Sequence, residues 1–552
     1  MIEYIDVIIN GRKYKYNKDT TLIEISKEFA DEFKYPILLA KDNYRLRELN
    51  HNLKSNTQIE FLDLTSPEGN ITHVNGLVYI MLYAVKKLYG KKADINVQHS
   101  LDKGIYIVTS FKLDAKKVDE IKRKMQEIIE SDKPITRLTI DRLEAIDYFE
   151  SIGDNTKADT MRYITDNYTT LYRLGNLYNY FYNLMPISTG QVKAFDLTYI
   201  QDNGLILQFP TVYLNNKIKK YEHHPNMFDI FREYRDWAKI MNIKTSVDLN
   251  KFVSIGKAND LIKIDETLQS ARLLKVAHDI NYQKNKIRIV LIAGPSSSGK
   301  TTLSKKLCMH LECFGLHPKV LSMDDYFLDK RKTPRNEEGK KDFDSIDAID
   351  LELFDEQLDK LLNNEVVNIP TYNFYIGKKE YKKSLQLGEK DIIVIEGIHA
   401  LNDKILTNIK RDKKFKIYVS PLTQLNVDNH NRIFTTDNRL LRRIIRDNRT
   451  RGHSVEDTLA GWQDVRKGEE KYIFPFQDDA DATVNTAAIY EMGVLKTYVE
   501  PLLYSVNNTS PYYEEAKRLI NFLKMFLPIP SDSIPEDSII REFIGKSYFE
   551  DK

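Results

Sequence analysis

The sequence predicts an α/β protein. Its second half carries a parallel sheet covered on both faces, preceded by a small β-grasp unit and a larger α+β unit. Three observations predict this. From residue 285 onward, short apolar runs alternate with helix-periodic stretches, the pattern of strands joined by helical crossovers. One such run, Ile287 to Ala293, leads into Gly294-Pro-Ser-Ser-Ser-Gly299-Lys300-Thr301, after which Leu303, Leu307 and Leu311 recur at helical spacing. Near the N-terminus, two β-prone runs flank Asn10-Gly11, a strong short hairpin signal.

Taken in order, residues 1–66 read as hairpin, helix and further strands. Tyr4 to Ile9 and Arg12 to Tyr16 form the hairpin, and Thr21-Leu-Ile-Glu24 is a capping-box pattern opening a helix with Leu22, Ile25 and Phe29 on its buried face. Strands are expected at 37–40 and 59–62. Residues 67–210 form the α+β unit, with a buried helix over Leu77 to Val85. Residues 211–284 read as a helical connector, from the spacing in Met227-Phe-Asp-Ile-Phe231 and over 261–280; His223-His224, before Pro225, reads as plain surface. Within 285–505, strands are expected at 287–293, 319–323, 391–395, 415–419 and 481–485, and helices at 300–314, 351–362 and 436–449. Residues 506–552 form a helical extension, with Ala516, Leu519, Ile520, Leu523 and Phe526 on a buried face and a closing segment at 539–549.

Composition narrows the classes. A chain of 552 residues exceeds one core and implies three or four domains. Lys and Arg number 82 against 80 Asp and Glu, so no chain-wide field attracts polyanions and any basic site is local. Cys308 and Cys313, with no ligand-like neighbours, read as buried thiols of a reducing compartment. The N-terminus has acids where a signal peptide has bases, and the longest apolar run is too short to span a bilayer. The expectation is a cytoplasmic protein without a membrane partner.

The residues that carry chemistry fall at the carboxyl ends of the expected strands, where ligands gather in such sheets. Gly294, Pro295, Ser296, Ser297, Ser298, Gly299, Lys300, Thr301 and Thr302 fit the phosphate-loop pattern, whose backbone N–H groups and following helix N-terminus cradle a polyphosphate. Lys300 would reach the β- and γ-phosphates, and the Thr301 hydroxyl would ligate Mg²⁺. The expected ligand is a nucleoside triphosphate. After the second strand, Asp324-Asp325 supplies a carboxylate able to accept a proton from an attacking hydroxyl; neighbours in an extended chain point oppositely, so only one of the two can do so. The third strand ends at Glu396, expected to organise Mg²⁺ directly or through water. Arg439, Arg443 and Arg446 fall on one helical face with Arg442 close by, which suits a lid closing on transferring phosphate.

Together these motifs resemble the uridine kinase and phosphoribulokinase family of P-loop kinases, from about 285 to 490. The resemblance implies ATP and Mg²⁺ as cofactors. It selects Asp324 as the catalytic base and places it beside the metal. In Phe343-Asp344-Ser-Ile-Asp347 it gives Asp344 the ribose hydroxyls, and in Pro370-Thr-Tyr372-Asn-Phe374 it sets Tyr372 and Phe374 against the base. Arg443 and Arg446 match two lid arginines. The chain departs from the family where a base-reading His is replaced by Gly377 and a further lid Arg by His453. The implied activity is phosphorylation of a nucleoside 5′-hydroxyl, uridine or cytidine first. Another nucleoside, a sugar phosphate, or an RNA-associated regulator using the fold as a nucleotide switch stand as alternatives.

Residues 1–66, with Tyr35-Pro-Ile-Leu-Leu-Ala40 and Arg47-Glu-Leu49, resemble the TGS domain of threonyl-tRNA synthetases. Residues 67–210, with Ser66-Pro-Glu-Gly-Asn-Ile-Thr-His73 and Thr189 to Leu197, resemble the second additional (editing) domain of those enzymes. The first resemblance implies RNA or another regulatory ligand, with a plain packing module as the alternative. The second implies a metal site that this chain lacks: four residues after His73 stands Leu77, and 181–188 contains neither Cys nor His, so His73 is expected to be structural. Homo-oligomer formation is left open.

Overall fold

The computed structural model describes residues 3–550 except 215, 223–224, 336–338, 340, 374–375 and 424; His223-His224 and Phe374 therefore lie outside the described residues. The first unit is a five-stranded mixed sheet in the order Arg12–Asn17, Tyr4–Ile9, Thr57–Leu62, Leu39–Asp42, Arg45–Glu48. Asn10 and Gly11 both take positive φ, 49° and 75°, so the hairpin closes through a two-residue turn whose twist suits the strands. Thr21 and Glu24 cap Leu22–Glu28 reciprocally. The strand Arg45–Glu48 shows no apolar alternation because it lies at the sheet edge.

The second unit is built on Pro67–Tyr89, whose residues Leu77 to Val85 are all buried. Around it lie the four-stranded sheet Asp196–Ile200, Gly204–Gln208, Gly104–Thr109, Ile95–Leu101 and the three-stranded sheet Leu177–Asn179, Tyr168–Leu174, Ile135–Asp141. His73 is 1% exposed, its Nε2 is 3.0 Å from the Ala194 carbonyl, and burial holds its pKa down to about 4. Among the described residues no cluster of three or more His, Cys, Asp or Glu is arranged to hold a metal. Here His73 is a core histidine.

Three helices follow, Pro225–Met241, Ser246–Ser254 and Ala258–Tyr282, and then the parallel sheet in the order His317–Ser322, Asp391–Glu396, Ile289–Ala293, Lys414–Ser420, Ala482–Asn485. The central strand is apolar throughout because both faces are covered. Val290 and Ile292 pack on Leu303, Leu307 and Leu311 of Lys300–Glu312 and on Leu273, Ala277 and Ile280 of Ala258–Tyr282. Ile289, Leu291 and Ala293 face Phe354 and Leu358 of Leu351–Leu362, and Leu101, Tyr106, Ile200 and Ile206 of the second unit join that core. Each fully buried Ile or Leu there contributes about 1.5–3 kcal/mol.

The C-terminal helix Tyr513–Leu523 shares a core with Leu440, Leu441, Ile444 and Ile445. Cys308 is buried as expected, but Cys313 is exposed at the solvent end of its helix; both are free thiols. Among the described residues no helix is long and apolar enough to cross a membrane.

A buried charged network joins the second unit to the sheet domain. Lys157, 0% exposed, donates to Asp428 Oδ1 at 3.1 Å and lies 2.6 Å from His430 Nδ1, while His430 Nε2 lies 2.9 Å from Asp94 Oδ1. Burial alone would lower the Lys157 pKa; Asp428, Asp154 and Asp94 outweigh it and keep the lysine charged. Replacing Lys157 by Met leaves Asp428 buried without its cation. The expected loss is about 3–5 kcal/mol in urea unfolding. The double variant Lys157→Met/Asp428→Asn, which removes both charges and keeps an oxygen to accept from the His430 and Asn431 N–H groups, is expected to recover part of it.

Candidate active site

Strand, loop and helix meet as the sequence predicts. A side chain at Gly294 would run into the Val419 carbonyl, and Gly299 turns the chain at φ +83° into the helix Lys300–Glu312. Lys300 Nζ donates to the carbonyls of Gly294 (3.0 Å) and Pro295 (3.2 Å), folded back onto its own loop. The hydroxyls of Ser297 and Ser298 are buried within the loop and have no hydrogen-bond partner among the described residues. Two amides are engaged by side chains from outside the loop: Ser296 N–H donates to Glu469 Oε1 (3.1 Å) and Thr302 N–H to Glu542 Oε2 (3.1 Å). Pro295 shapes the loop without an N–H to offer. Thr301 stands exposed at the first helical turn.

The strand His317–Ser322 ends in a 3₁₀ turn, Met323–Tyr326, where an extended chain was expected. The division of labour survives this change of geometry. Asp325 accepts the Tyr372 N–H at 3.0 Å and ties down the hairpin Val367–Asn373/Lys378–Leu385. Asp324 faces the open cleft, within electrostatic reach of Lys300, Arg451 and Arg446. Enclosure by the cleft walls raises its pKa, and those three cations oppose the rise. Glu396 sits one strand over, in register with Ser322, whose hydroxyl donates to Glu396 Oε1 at 3.0 Å. Burial first, then the charge of Asp324, pushes Glu396 up to about 7 against the pull of Lys300. A buried carboxylate raised by its neighbour in this way marks a site that gains from a cation.

The arginine run divides in two, which corrects the expectation of a shared lid. Arg439, 1% exposed, pairs with Glu469 and donates to the Ser296 carbonyl at 3.0 Å. Arg442, 0% exposed, pairs with Glu491 and donates to the Thr486 carbonyl at 2.8 Å. Their positive charge is spent inside the protein. The helix Thr435–Arg451 that carries them is a packed element, with Leu440, Leu441, Ile444 and Ile445 in the core. Arg443 reaches the loop, donating to Ser296 Oγ at 2.8 Å. Arg446 holds Asp447 Oδ1 at 2.7 Å, and its charge reaches Lys300 and Asp324. Arg451 joins them beside Asp324, while His453 is exposed.

On the acceptor side, burial raises Asp344 to about 6, with Arg443 opposing. Tyr372 is buried edge-on to Phe327 at 5.7 Å, and Phe327 is likewise edge-on to Phe343 at 5.9 Å. Gly377 has φ +68°, and a Cβ there would lie 2.6 Å from the Cβ of Lys330. A histidine at this turn would clash, so no side chain reads a base from this position.

Sequence reasoning missed Glu469, Glu542 and His399. His399 is buried beside the Tyr472 ring, 5.7 Å away, and burial pulls it down to about 4. None of the three lies in a recognisable pattern. Glu469 and Glu542 reach the loop only through tertiary packing.

The two kinds of arginine separate experimentally. Arg442→Met leaves Glu491 without its cation in the interior, with an expected stability loss of about 3–5 kcal/mol by chemical denaturation. Arg446→Met is expected to change stability by less than about 1 kcal/mol while reducing turnover at least tenfold.

The "Phosphoribulokinase / Uridine kinase family" profile matches residues 289–491. A uridine kinase of Staphylococcus aureus (strain JH9) is 31% identical over 197 residues, which cover 36% of this chain and 86% of that protein. Among solved structures, a D-glycerate 3-kinase from Cryptococcus neoformans var. grubii is 16% identical over 48% of this chain and 90% of its own, at a TM-score of 0.21, too slight to carry an argument. Through its sheet domain, this chain belongs to the phosphoribulokinase and uridine kinase family.

Proposed function

We propose that the chain transfers the γ-phosphate of ATP to the 5′-hydroxyl of a nucleoside, uridine or cytidine first. The observation that carries this reading is the convergence of Lys300, Asp324 and Glu396 at the carboxyl edge of one parallel sheet, close enough to shift one another's protonation. The loop amides and Lys300 bind the phosphates. Thr301 and Glu396 would hold Mg²⁺, with Asp324 beside them; a magnesium ion shared with a nucleotide needs only one or two carboxylates. When bound, Mg²⁺ neutralises charge on the β- and γ-oxygens.

Asp324 takes the proton of the acceptor hydroxyl as it attacks. Arg443 and Arg446 balance the charge that builds on the transferring group, and Arg443 also links the loop to Asp344. Asp344 accepts from the ribose hydroxyls, and Tyr372 walls the base. Catalysis here is mainly positioning and fixed charge.

The test is a panel of nucleosides and sugar phosphates with ATP and Mg²⁺, run on wild type beside Asp324→Asn. Turnover with at least one nucleoside is expected, falling about 10²–10⁴-fold in the variant; equal rates would remove Asp324 from the mechanism. A pH profile provides a second check. Glu396 near 7 and Asp344 near 6 are raised carboxylates, protonated below those values and ionised above them. Both act ionised, so kcat/KM is expected to rise with pH through 6–7 and then level off. A flat profile from pH 5.5 to 8 would count against their roles.

A further inference from the structure

The C-terminal segment, beyond the span matched by the family profile, ends against the phosphate loop. Arg541–Ile544 forms one helical turn whose Glu542 accepts the Thr302 N–H at 3.1 Å. Ile539 lies over Gly299, in the space that a side chain there would need. The backbone of this turn is held from several sides. Arg449 donates to the carbonyls of Glu542 (2.9 Å) and Phe543 (3.1 Å), and Arg442 lies over the Phe543 ring at 4.8 Å. Arg541 donates to the carbonyls of Ser531 and Ile534, each at 2.8 Å, and Lys306 pairs with Asp537 at 3.0 Å. Phe543 and Ile540 are buried, so the turn is part of the core. The Glu542 side chain, half-buried, is the part that can rotate without unfolding anything.

We propose that Glu542 is an internal carboxylate occupying the place of a phosphate, and that a triphosphate binds this loop only by displacing it. The inference rests on the reading of the loop as the triphosphate site. An amide N–H has one proton to give, and at the head of the Lys300–Glu312 helix it favours an anion. With Thr302 N–H committed to Glu542, a phosphate must take that donor and turn the like-charged carboxylate away. Glu542 acts on the same centre electrostatically, since its charge raises both Lys300 and Glu396. The consequence is a site held at lower affinity for triphosphate than its own donors would give.

The prediction is opposite in sign to that for an ordinary binding residue. Binding of the Mg²⁺ complex of a non-hydrolysable β,γ-imido ATP analogue, measured by calorimetry on the full chain, is expected to tighten about tenfold in Glu542→Gln, the worth of one charge-assisted hydrogen bond. Glu542→Ala is expected to tighten it at least as much. With substrate, KM for ATP falls while kcat does not rise in proportion, a split that general loosening of the fold would not produce. Thermal unfolding of both variants checks that they are folded. Unchanged or weaker binding in folded Glu542→Gln, or an increased Mg²⁺ requirement marking Glu542 as a ligand of the bound state, overturns the proposal. Lys300→Met in the same titration separates the two readings: if it abolishes binding while Glu542→Gln does not tighten it, Glu542 alone is misassigned. If it binds like wild type, the triphosphate site itself is misread.

Discussion

Two guanidiniums sealed from water hold this active site together. Arg439 and Arg442 each bind a buried carboxylate and a backbone carbonyl, and through Ser296, Ser297 and Thr486 they join the phosphate loop to the helix Thr435–Arg451 and the strand end at Asn485. A buried ion pair adds little net stability over a well-packed apolar pair, but breaking one partner is costly. That asymmetry makes such pairs good registers: a helix one residue out of phase would strand a charge in the core. The loop is therefore placed by electrostatics inside the protein, and only Arg443, Arg446 and Arg451 are left to face the cleft.

Around Lys300 the balance of charge is unresolved in the protein alone. Glu396, Asp324 and Glu542 act on Lys300 while Arg446 opposes them there, and each acid raises the pKa of another or of the lysine. Such a cluster is poised for ligands that bring compensating charge, a divalent cation for the acids and phosphates for the loop. Frustrated electrostatics of this kind mark a working site, because a purely structural cluster would be neutral at rest.

The N-terminal half does not hang from the sheet domain as a separate bead. Leu101, Tyr106, Ile200 and Ile206 complete the core behind Ile289 and Leu291, and the Lys157–Asp428–His430–Asp94 network fastens the same two parts. Removing the second unit would take side chains out of that shared core and leave Asp428 without Lys157. The second unit and the sheet domain thus share a core and a buried charged network.

Much of this was legible in the sequence. The phosphate loop, the three inner strands of the parallel sheet and the positions of Asp324, Glu396 and Asp344 follow from local patterns, because buried parallel strands read as apolar runs and phosphate loops need glycine at fixed places; the two edge strands give only short, partly polar runs. The hairpin Val367–Asn373/Lys378–Leu385 was not legible, since its second strand is largely polar. The partition of the arginines was hidden too: helical spacing puts Arg439, Arg443 and Arg446 on one face, but cannot say that Glu469 and Glu491 wait opposite Arg439 and Arg442. Sequence alone determined where the glycines, the lysine and the acids fall along the sheet edge, because each such position is written in a few adjacent residues. Tertiary structure alone decided which charges are free to act and that Glu542 sits on the loop, because burial and partnership depend on residues brought together from distant parts of the chain.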